Sequence, residues 1–193
     1  MKRNVIVIVI YALLIFVFKS ANAQTNKNPL SDKILVVVHM QQDSVTNELS
    51  KEANADVVKR INQLINNTKP ENVVYAKITH KVLNLSLKKI YVDKINADLD
   101  SRLNLVNQNI FTDYNGDIFS SDELKEFIDK KNINEIVIVG RSAEGCIKTS
   151  VMKGLKLGHD IYILPNAIIG ESDESKVKAI NKLEKKGAKI LII

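Results

Sequence analysis

The stretch that decides the fold is IVIVGRSAEGCIKTS, residues 136–150. Four consecutive β-branched apolar residues predict a strand that is buried on both faces. Gly140 marks a turn after that strand, and the residues from Ala143 onward predict a helix whose first turn carries Cys146. Backbone amide groups and the helix dipole favour a thiolate at such a place, so Cys146 is a candidate nucleophile.

Cys146 is the only cysteine of the chain, which excludes an internal disulfide. A single unpaired thiol has two interpretations. Free cysteine usually behaves as a small, buried, unreactive apolar residue. A thiol at the junction of a strand and a helix has instead the surroundings of a reactive one. The sequence leaves both open.

Apolar runs alternate with helical patterns along the whole chain. The runs predict strands, and the patterns with helical spacing predict helices. Strands are expected at 34–38, 73–78, 136–139, 161–164 and 190–193, and helices at 47–66, 120–131, 143–157 and 174–186. Strand followed by helix, repeated, implies right-handed crossovers and a mostly parallel sheet. We therefore predict an α/β fold of three layers, α-β-α, Rossmann-like, with about six strands in the sheet.

The segment from 81 to 119 is less regular. Its many Asn and Asp residues predict loops, with short strands near 90–92 and 105–110.

The amino-terminal residues have the pattern of a signal peptide. Lys2 and Arg3 precede an apolar stretch at 5–18, and small residues at 21 and 23 form a cleavage site. We expect residues 1–23 to be a cleaved signal peptide, 24–31 a polar tether and 32–193 a single domain. The chain would then be exported to the periplasm or secreted, with no membrane contact after cleavage. An uncleaved anchor remains the alternative.

Charge excludes one class of partner. Removing the three basic residues of the signal segment lowers the net charge from +6 to +3. The remaining charges are interspersed, as in KLEKK at 182–186, which is typical of a solvated helix face. We expect no nucleic-acid partner, because such a surface lacks a basic stripe.

In an open parallel sheet, ligands bind beyond the carboxyl ends of the strands. That rule selects His39 and Gln41 after the strand expected at 34–38. It also selects Cys146 after the strand at 136–139 and Asn166 after the strand at 161–164. His39 and Cys146 would form a base and a nucleophile if their strands are neighbours. His39 could equally be a hydrogen-bonded core histidine.

Two segments carry a resemblance to a known family. LVVVHMQQD at 35–43 and IVIVGRSAEGCIKTSVMKGLKLGHDIYILPNAIIGES at 136–172 resemble the isochorismatase-like cysteine hydrolases, which include isochorismatases and nicotinamidases. The resemblance implies the same six-stranded fold and a small-molecule substrate, an amide or a related compound. The resemblance makes a homo-oligomer possible. We expect no cofactor. We also expect no metal, because His80, near where metal-containing relatives have ligands, lacks a nearby carboxylate or second histidine.

The resemblance also implies a triad of Cys, Asp and Lys. The nucleophile corresponds to Cys146. The Asp position, at the end of the first strand, is occupied by His39. The Lys position lies several residues before an aromatic residue in a loop that leads into a helix, and Gln108 is the best match for it. Amides at Ser142 and Ala143 would hold an oxyanion, and Gln41 and Asn166 would lie near the substrate.

These changes leave two hypotheses. A histidine can replace a carboxylate as the base for a thiol. The first hypothesis is therefore a hydrolase with a Cys146–His39 dyad. Neutral Gln108 cannot supply a positive charge, so the alternative is a catalytically impaired pseudoenzyme that serves as an extracytoplasmic binding or interaction module. The sequence does not choose between them.

Overall fold

A computed structural model describes residues 28–42, 54–86, 89–95 and 97–193, with backbone alone at 80–86 and 89–95. The predicted signal peptide and the first half of the tether lie outside these ranges. Within the described ranges, no helix has the length and apolar character needed to cross a membrane.

A six-stranded parallel sheet forms the centre of the domain, which confirms the predicted α/β class. Its strands lie in the order β5-β2-β1-β6-β7-β8. They are β1 (Ile34–Val38), β2 (Val73–Ile78), β5 (Ile110–Asp113), β6 (Glu135–Arg141), β7 (Asp160–Ile169) and β8 (Lys189–Ile190). The other two strands, β3 (His80–Ser86) and β4 (Lys89–Ile95), pair with each other in an antiparallel hairpin outside this sheet.

Four α-helices in the described part of the chain cover the two faces of the sheet. They are α1 (Ala55–Asn67), α2 (Asp122–Lys131), α3 (Lys148–Lys156) and α4 (Asp173–Glu184). The buried residues of α1 pack on one face, and those of α2, α3 and α4 pack on the other. Polar caps define where two of these helices begin. At α2, Ser121 accepts a hydrogen bond from the Leu124 amide, and at α4, Ser172 and Ser175 form a capping box.

The central strand explains why the sheet is buried on both faces. All five side chains of β1 are fully buried. Ile34, Val36 and Val38 face the α2–α4 layer, whereas Leu35 and Val37 face α1. Burial of each such side chain contributes about 1.5–3 kcal/mol, so β1 is a rigid support for the residue that follows it.

Gly140 sets how closely β6 approaches β1. Val38 pairs with Gly140 in the parallel ladder. Gly140 has φ of 117°, and a Cβ built on it would lie 2.2 Å from the carbonyl oxygen of Val38. Only glycine fits there, because any side chain would overlap backbone atoms. The segment carrying Cys146 therefore begins directly beside the end of β1.

Several predicted boundaries differ from the structure. The strand expected at 105–110 lies at Ile110–Asp113, and the one expected at 161–164 continues to Ile169. The prediction for this region was loops and one short strand near 90–92. The structure has instead the hairpin of β3 and β4. The start of the helix expected at 47–66 lies partly outside the described residues, and its described part ends at Asn67.

Candidate functional site

Cys146 lies in a tight helical turn at the carboxyl edge of the sheet. Residues Ala143–Ile147 form a π-helical turn that continues into α3. The carbonyl of Ser142 accepts hydrogen bonds from the amides of Gly145 (3.2 Å) and Ile147 (3.0 Å). Single π-turns are often found at functional sites. The sulfur is partly buried rather than enclosed in the core.

His39 is held at the same edge by an unusual backbone conformation. Its φ is 51°, in the left-handed region, and its amide donates to the carbonyl of Ala76 at 2.9 Å. A residue with a side chain costs about 1–2 kcal/mol in that region, so the surrounding sheet must hold it there. The side chain is 5% exposed. The first strand thus ends by turning a buried imidazole into the site.

The imidazole is paired with a carboxylate from another strand. His39 Nε2 lies 2.6 Å from Oδ2 of Asp113, the last residue of β5, and the Asp113 side chain is almost completely buried. Burial by itself lowers the pKa of His39, but the hydrogen bond to Asp113 and then the nearby Cys146 side chain outweigh it and raise that pKa to about 9. The ring is therefore positively charged at neutral pH.

Two atoms of this pair have no hydrogen-bond partner. His39 Nδ1 and Asp113 Oδ1 are buried and unpaired within the described part of the chain, where Arg60 Nε is the only other such side-chain atom. Cys146 is nevertheless near enough to raise the pKa of His39. Buried polar atoms without partners are uncommon and need an explanation. Here both belong to the pair nearest the thiol, and Nδ1 of His39 is the one available for proton exchange with Cys146.

A cavity of about 450 Å³ opens in front of the sulfur. Its described wall carries no charged side chain other than the thiol when that is ionised. The residues of this wall are Ile78, Thr79, Tyr114, Asn115, Gly116, Gly145, Cys146 and Thr149. A Cβ at Gly116 would lie 2.9 Å from the sulfur, so the absence of a side chain there keeps the thiol reachable from the cavity.

The predicted site residues divide into two groups. Cys146 and His39 are brought together, with Ser142 and the fully buried Ala143 in the turn that precedes the thiol. Gln108 is not brought to them. It is exposed and precedes β5, and because β5 runs parallel to β2, its amino end lies at the opposite edge of the sheet.

Gln41 and Asn166 also have other surroundings than expected. The Gln41 amide is used by backbone: it donates to the carbonyls of Ile78 (3.3 Å) and Ala97 (2.9 Å) and accepts from the Ile78 amide (2.7 Å). It therefore ties the ends of β1 and β2 together. Asn166 lies exposed within β7, which continues through the predicted turn, and it is not in the described wall of the cavity.

Asp113 is the site residue that the sequence did not reveal. It stood in the same segment as Gln108, and the rule of strand ends would have selected it if the strand had been placed three residues later. Asp113 also ends β5 several residues before the aromatic Phe119 and ahead of α2, so it fits the description of the lysine position for which Gln108 was selected.

The described residues contain no group of three or more His, Cys, Asp or Glu side chains that could hold a metal ion. The side chain of His80 is outside what the structure describes.

Comparisons with known proteins agree with the fold. A model of the isochorismatase domain matches residues 33–192. An isochorismatase-like hydrolase from Alkaliphilus metalliredigens superposes with a TM-score of 0.65 at 14% identity, covering 83% of this chain and 93% of that one. A search of curated proteins found no match.

Two further solved structures share the fold. A pyrazinamidase of Pyrococcus horikoshii, in complex with zinc, gives a TM-score of 0.60 at 18% identity, covering 84% of this chain and 99% of that one. A nicotinamidase from Staphylococcus aureus gives 0.60 at 15% identity, covering 83% and 99%. At these identities the likeness shows the fold alone.

Proposed function

Because this chain belongs to the isochorismatase family, we propose that it is a cysteine hydrolase that acts on a small carboxamide or a related carbonyl compound. The observation that carries the proposal is the meeting of Cys146 and His39 at the edge of an open cavity. The thiol lies at the cavity wall, and it is close enough to the imidazole to raise the pKa of that ring. A nucleophile and a base within reach of each other are the minimum that acyl transfer through a thiol requires.

The reaction follows from these two groups. In this proposal the proton of Cys146 already rests on the positively charged His39, and the thiolate sulfur attacks the carbonyl carbon to form a tetrahedral intermediate. His39 then gives the proton to the leaving nitrogen, the C–N bond breaks, and a thioester remains on Cys146. Water attacks the thioester while His39 takes its proton, and the C–S bond breaks to release the acid. The sum is amide and water converted to carboxylic acid and amine.

The backbone around the thiol supplies the oxyanion site in this proposal. Some amide groups in the first turn of a helix lack intrahelical acceptors and can hold an oxyanion. The amides of Gly145 and Ile147 donate to the carbonyl of Ser142, so the proposal assigns the oxyanion to other amides of the turn at Ala143–Ile147. Loss of one oxyanion donor typically costs about 3–4 kcal/mol of transition-state stabilisation.

The cavity supports a small, uncharged substrate. About 450 Å³ accommodates a molecule of one or two rings, and neither lysine nor arginine is found in the described wall to bind a carboxylate or phosphate. Since two structural neighbours are a pyrazinamidase and a nicotinamidase, pyrazinamide and nicotinamide are the first compounds to test.

The proposal is tested by incubating the protein with a panel of small carboxamides and measuring the ammonia that hydrolysis releases. We expect turnover by the wild type and its loss in Cys146→Ala and in His39→Ala. Gln108→Ala is the matched control, because Gln108 lies at the opposite edge of the sheet, and it should keep the wild-type rate. Activity that survives either of the first two substitutions would refute the dyad.

A catalytically impaired binding module is the second candidate. It is favoured by the lack of an ammonium group in the described site and by the histidine at a position where the family resemblance implies an aspartate. A wild type that binds a carboxamide without hydrolysing it, and that gains hydrolysis in the double variant His39→Asp with Asp113→Lys, would favour this candidate over the hydrolase.

Export remains a separate proposal. The basic residues, apolar stretch and small-residue site within 1–23 support a cleaved signal peptide. The intact mass of the protein recovered from an expressing cell decides it: a mass of residues 24–193 supports export with cleavage, and the full-length mass supports an anchor.

A further inference from the structure

We propose that Asp113 is the positioning residue of His39, so that Cys146, His39 and Asp113 act as one unit with the negative and positive groups of the family triad exchanged. The inference rests on the proposed function, because it assigns roles within the same site. It adds a residue from β5 that neither the sequence patterns nor the comparisons assign.

The burial of the pair argues against a merely structural ion pair. His39 and Asp113 are 5% and 1% exposed, and removing two charged groups from water costs several kcal/mol for each. Structural pairs offset that cost by satisfying every polar atom. This pair leaves Nδ1 and Oδ1 without partners among the described residues. One strong bond of 2.6 Å combined with two unused atoms is the pattern of a group that is held in place for a reaction.

The bond to Asp113 fixes which ring nitrogen can act. Nε2 is occupied by the carboxylate, so the neutral imidazole carries its hydrogen on Nε2 and donates it to Asp113. Nδ1 is then the nitrogen that exchanges a proton with Cys146, and it holds that proton when the ring is positively charged at neutral pH. Asp113 stays ionised, orients the ring and stabilises the imidazolium that forms, and it does not take the proton itself.

The two charges occupy the same two places as in the family triad, with their signs reversed. The resemblance puts a carboxylate at the end of the first strand and a cation before an aromatic residue that leads into a helix. Here the first strand ends at His39, which carries the positive charge, and Asp113 precedes Phe119. The opposite charges are therefore both retained at the site, although each has changed strand.

The groups that act on His39 come from two elements. Asp113 reaches it from β5, and Cys146 reaches it from the π-helical turn. Asp117 is the nearest useful control. It is in the same loop as Asp113, but its carboxylate accepts from the amide of Phe119 at 3.0 Å and has no bond to the imidazole. Asp117→Asn preserves that cap and removes a neighbouring negative charge.

The test follows the His39 ring by NMR through a pH titration of the purified protein. The signal is assigned by its loss in His39→Gln, since the chain has two other histidines. We expect His39 to titrate near pH 9 in the wild type and in Asp117→Asn, and well below that in Asp113→Asn. Equal titration in Asp113→Asn and the wild type would overturn the inference.

The rate at which iodoacetamide alkylates Cys146 is a second measurement. It would not change if Asp113 had only a structural role. Asp113→Asn should slow it at least about tenfold at neutral pH, and Asp113→Glu should recover part of the rate. Asp117→Asn should react at the wild-type rate. If Asp113→Asn does not fold, the wild type alone decides: a His39 titration near pH 6.5 contradicts the inference, and one near pH 9 supports it.

Neither measurement needs a substrate, so the two proposals can fail separately. Shifted titration and slowed alkylation without carboxamide turnover support the role of Asp113 and contradict the hydrolase assignment. Turnover with an unshifted titration supports the hydrolase and contradicts the role of Asp113.

Discussion

Asp113 accepts a 2.6 Å hydrogen bond from His39, a residue 74 positions earlier in the chain. The bond joins the end of β5 to the end of β1, and β2 lies between these strands in the sheet. The charges that act on the thiol are therefore brought together by strand order and not by any local motif.

Stability should depend on pH through this pair. The pKa of His39 is raised from 6.5 to about 9, so the stabilisation is fully present below pH 6.5 and is lost as the pH rises through 9. The advantage of the wild type over Asp113→Asn in free energy of unfolding should fall across that window, by on the order of 3 kcal/mol at most. Urea denaturation at several pH values measures it, and a constant difference would contradict the prediction.

Exchanging the two residues should show that their charges are coupled. His39→Asp puts two carboxylates together, and Asp113→Lys puts two cations together, so each single variant should be strongly destabilised. The double variant restores opposite charges. We expect its loss of stability to be smaller than the sum of the single losses by about 1–3 kcal/mol, in a double-mutant cycle. Additive losses would mean that the two sites do not interact.

Gly140→Ala should be far more harmful than a matched glycine substitution elsewhere. Its Cβ would lie 2.2 Å from the carbonyl oxygen of Val38, and φ is 117°. Gly158 also has positive φ, 89°, but a Cβ there meets nothing within 4 Å. Thermal unfolding should show a loss of about 3–5 kcal/mol for Gly140→Ala and about 1 kcal/mol for Gly158→Ala. Similar losses would show that the approach of β6 to β1 is not tight.

Gly116→Ala should protect the thiol from reagents. A Cβ at this position would lie 2.9 Å from Cys146 Sγ, at the wall of the cavity. Alkylation of Cys146 should slow at least about tenfold, because the methyl group occupies the approach to the sulfur. Gly158→Ala, far from the cavity wall, serves as the control for backbone strain. Unchanged alkylation in Gly116→Ala would place the route to the sulfur elsewhere.

Much of the fold was predictable because local sequence patterns determine these strands and helices. The run at 34–38 and the run at 136–139 are buried strands in the structure, as their uninterrupted apolar character predicts. Cys146 follows β6 in a helical turn, as Gly140 and the helical pattern after it indicate. His39 was selected by the general rule of strand ends and is found beside the thiol.

The rest depends on pairing between distant segments. The position of β5 is set by its register with β2, where Tyr75 pairs with Ile110 and Ile78 with Asp113. Nothing in the local composition around residue 110 encodes that register. The predicted strand therefore ended too early and Asp113 was missed, whereas Gln108 was selected only as the best match to the lysine position that the resemblance implies. The length of β7 has the same origin, because its second half is held by pairing with Gly140 and Arg141 across a bulge.

The most direct measurement is the rate of Cys146 alkylation by iodoacetamide at neutral pH, in the folded wild type and in His39→Gln. Glutamine keeps a donor for Asp113 but cannot accept the thiol proton as imidazole does, so it isolates the role of the base. We predict that the wild type reacts at least about tenfold faster than a free cysteine peptide and that His39→Gln does not. A wild type that reacts no faster than the peptide would contradict an activated nucleophile at Cys146.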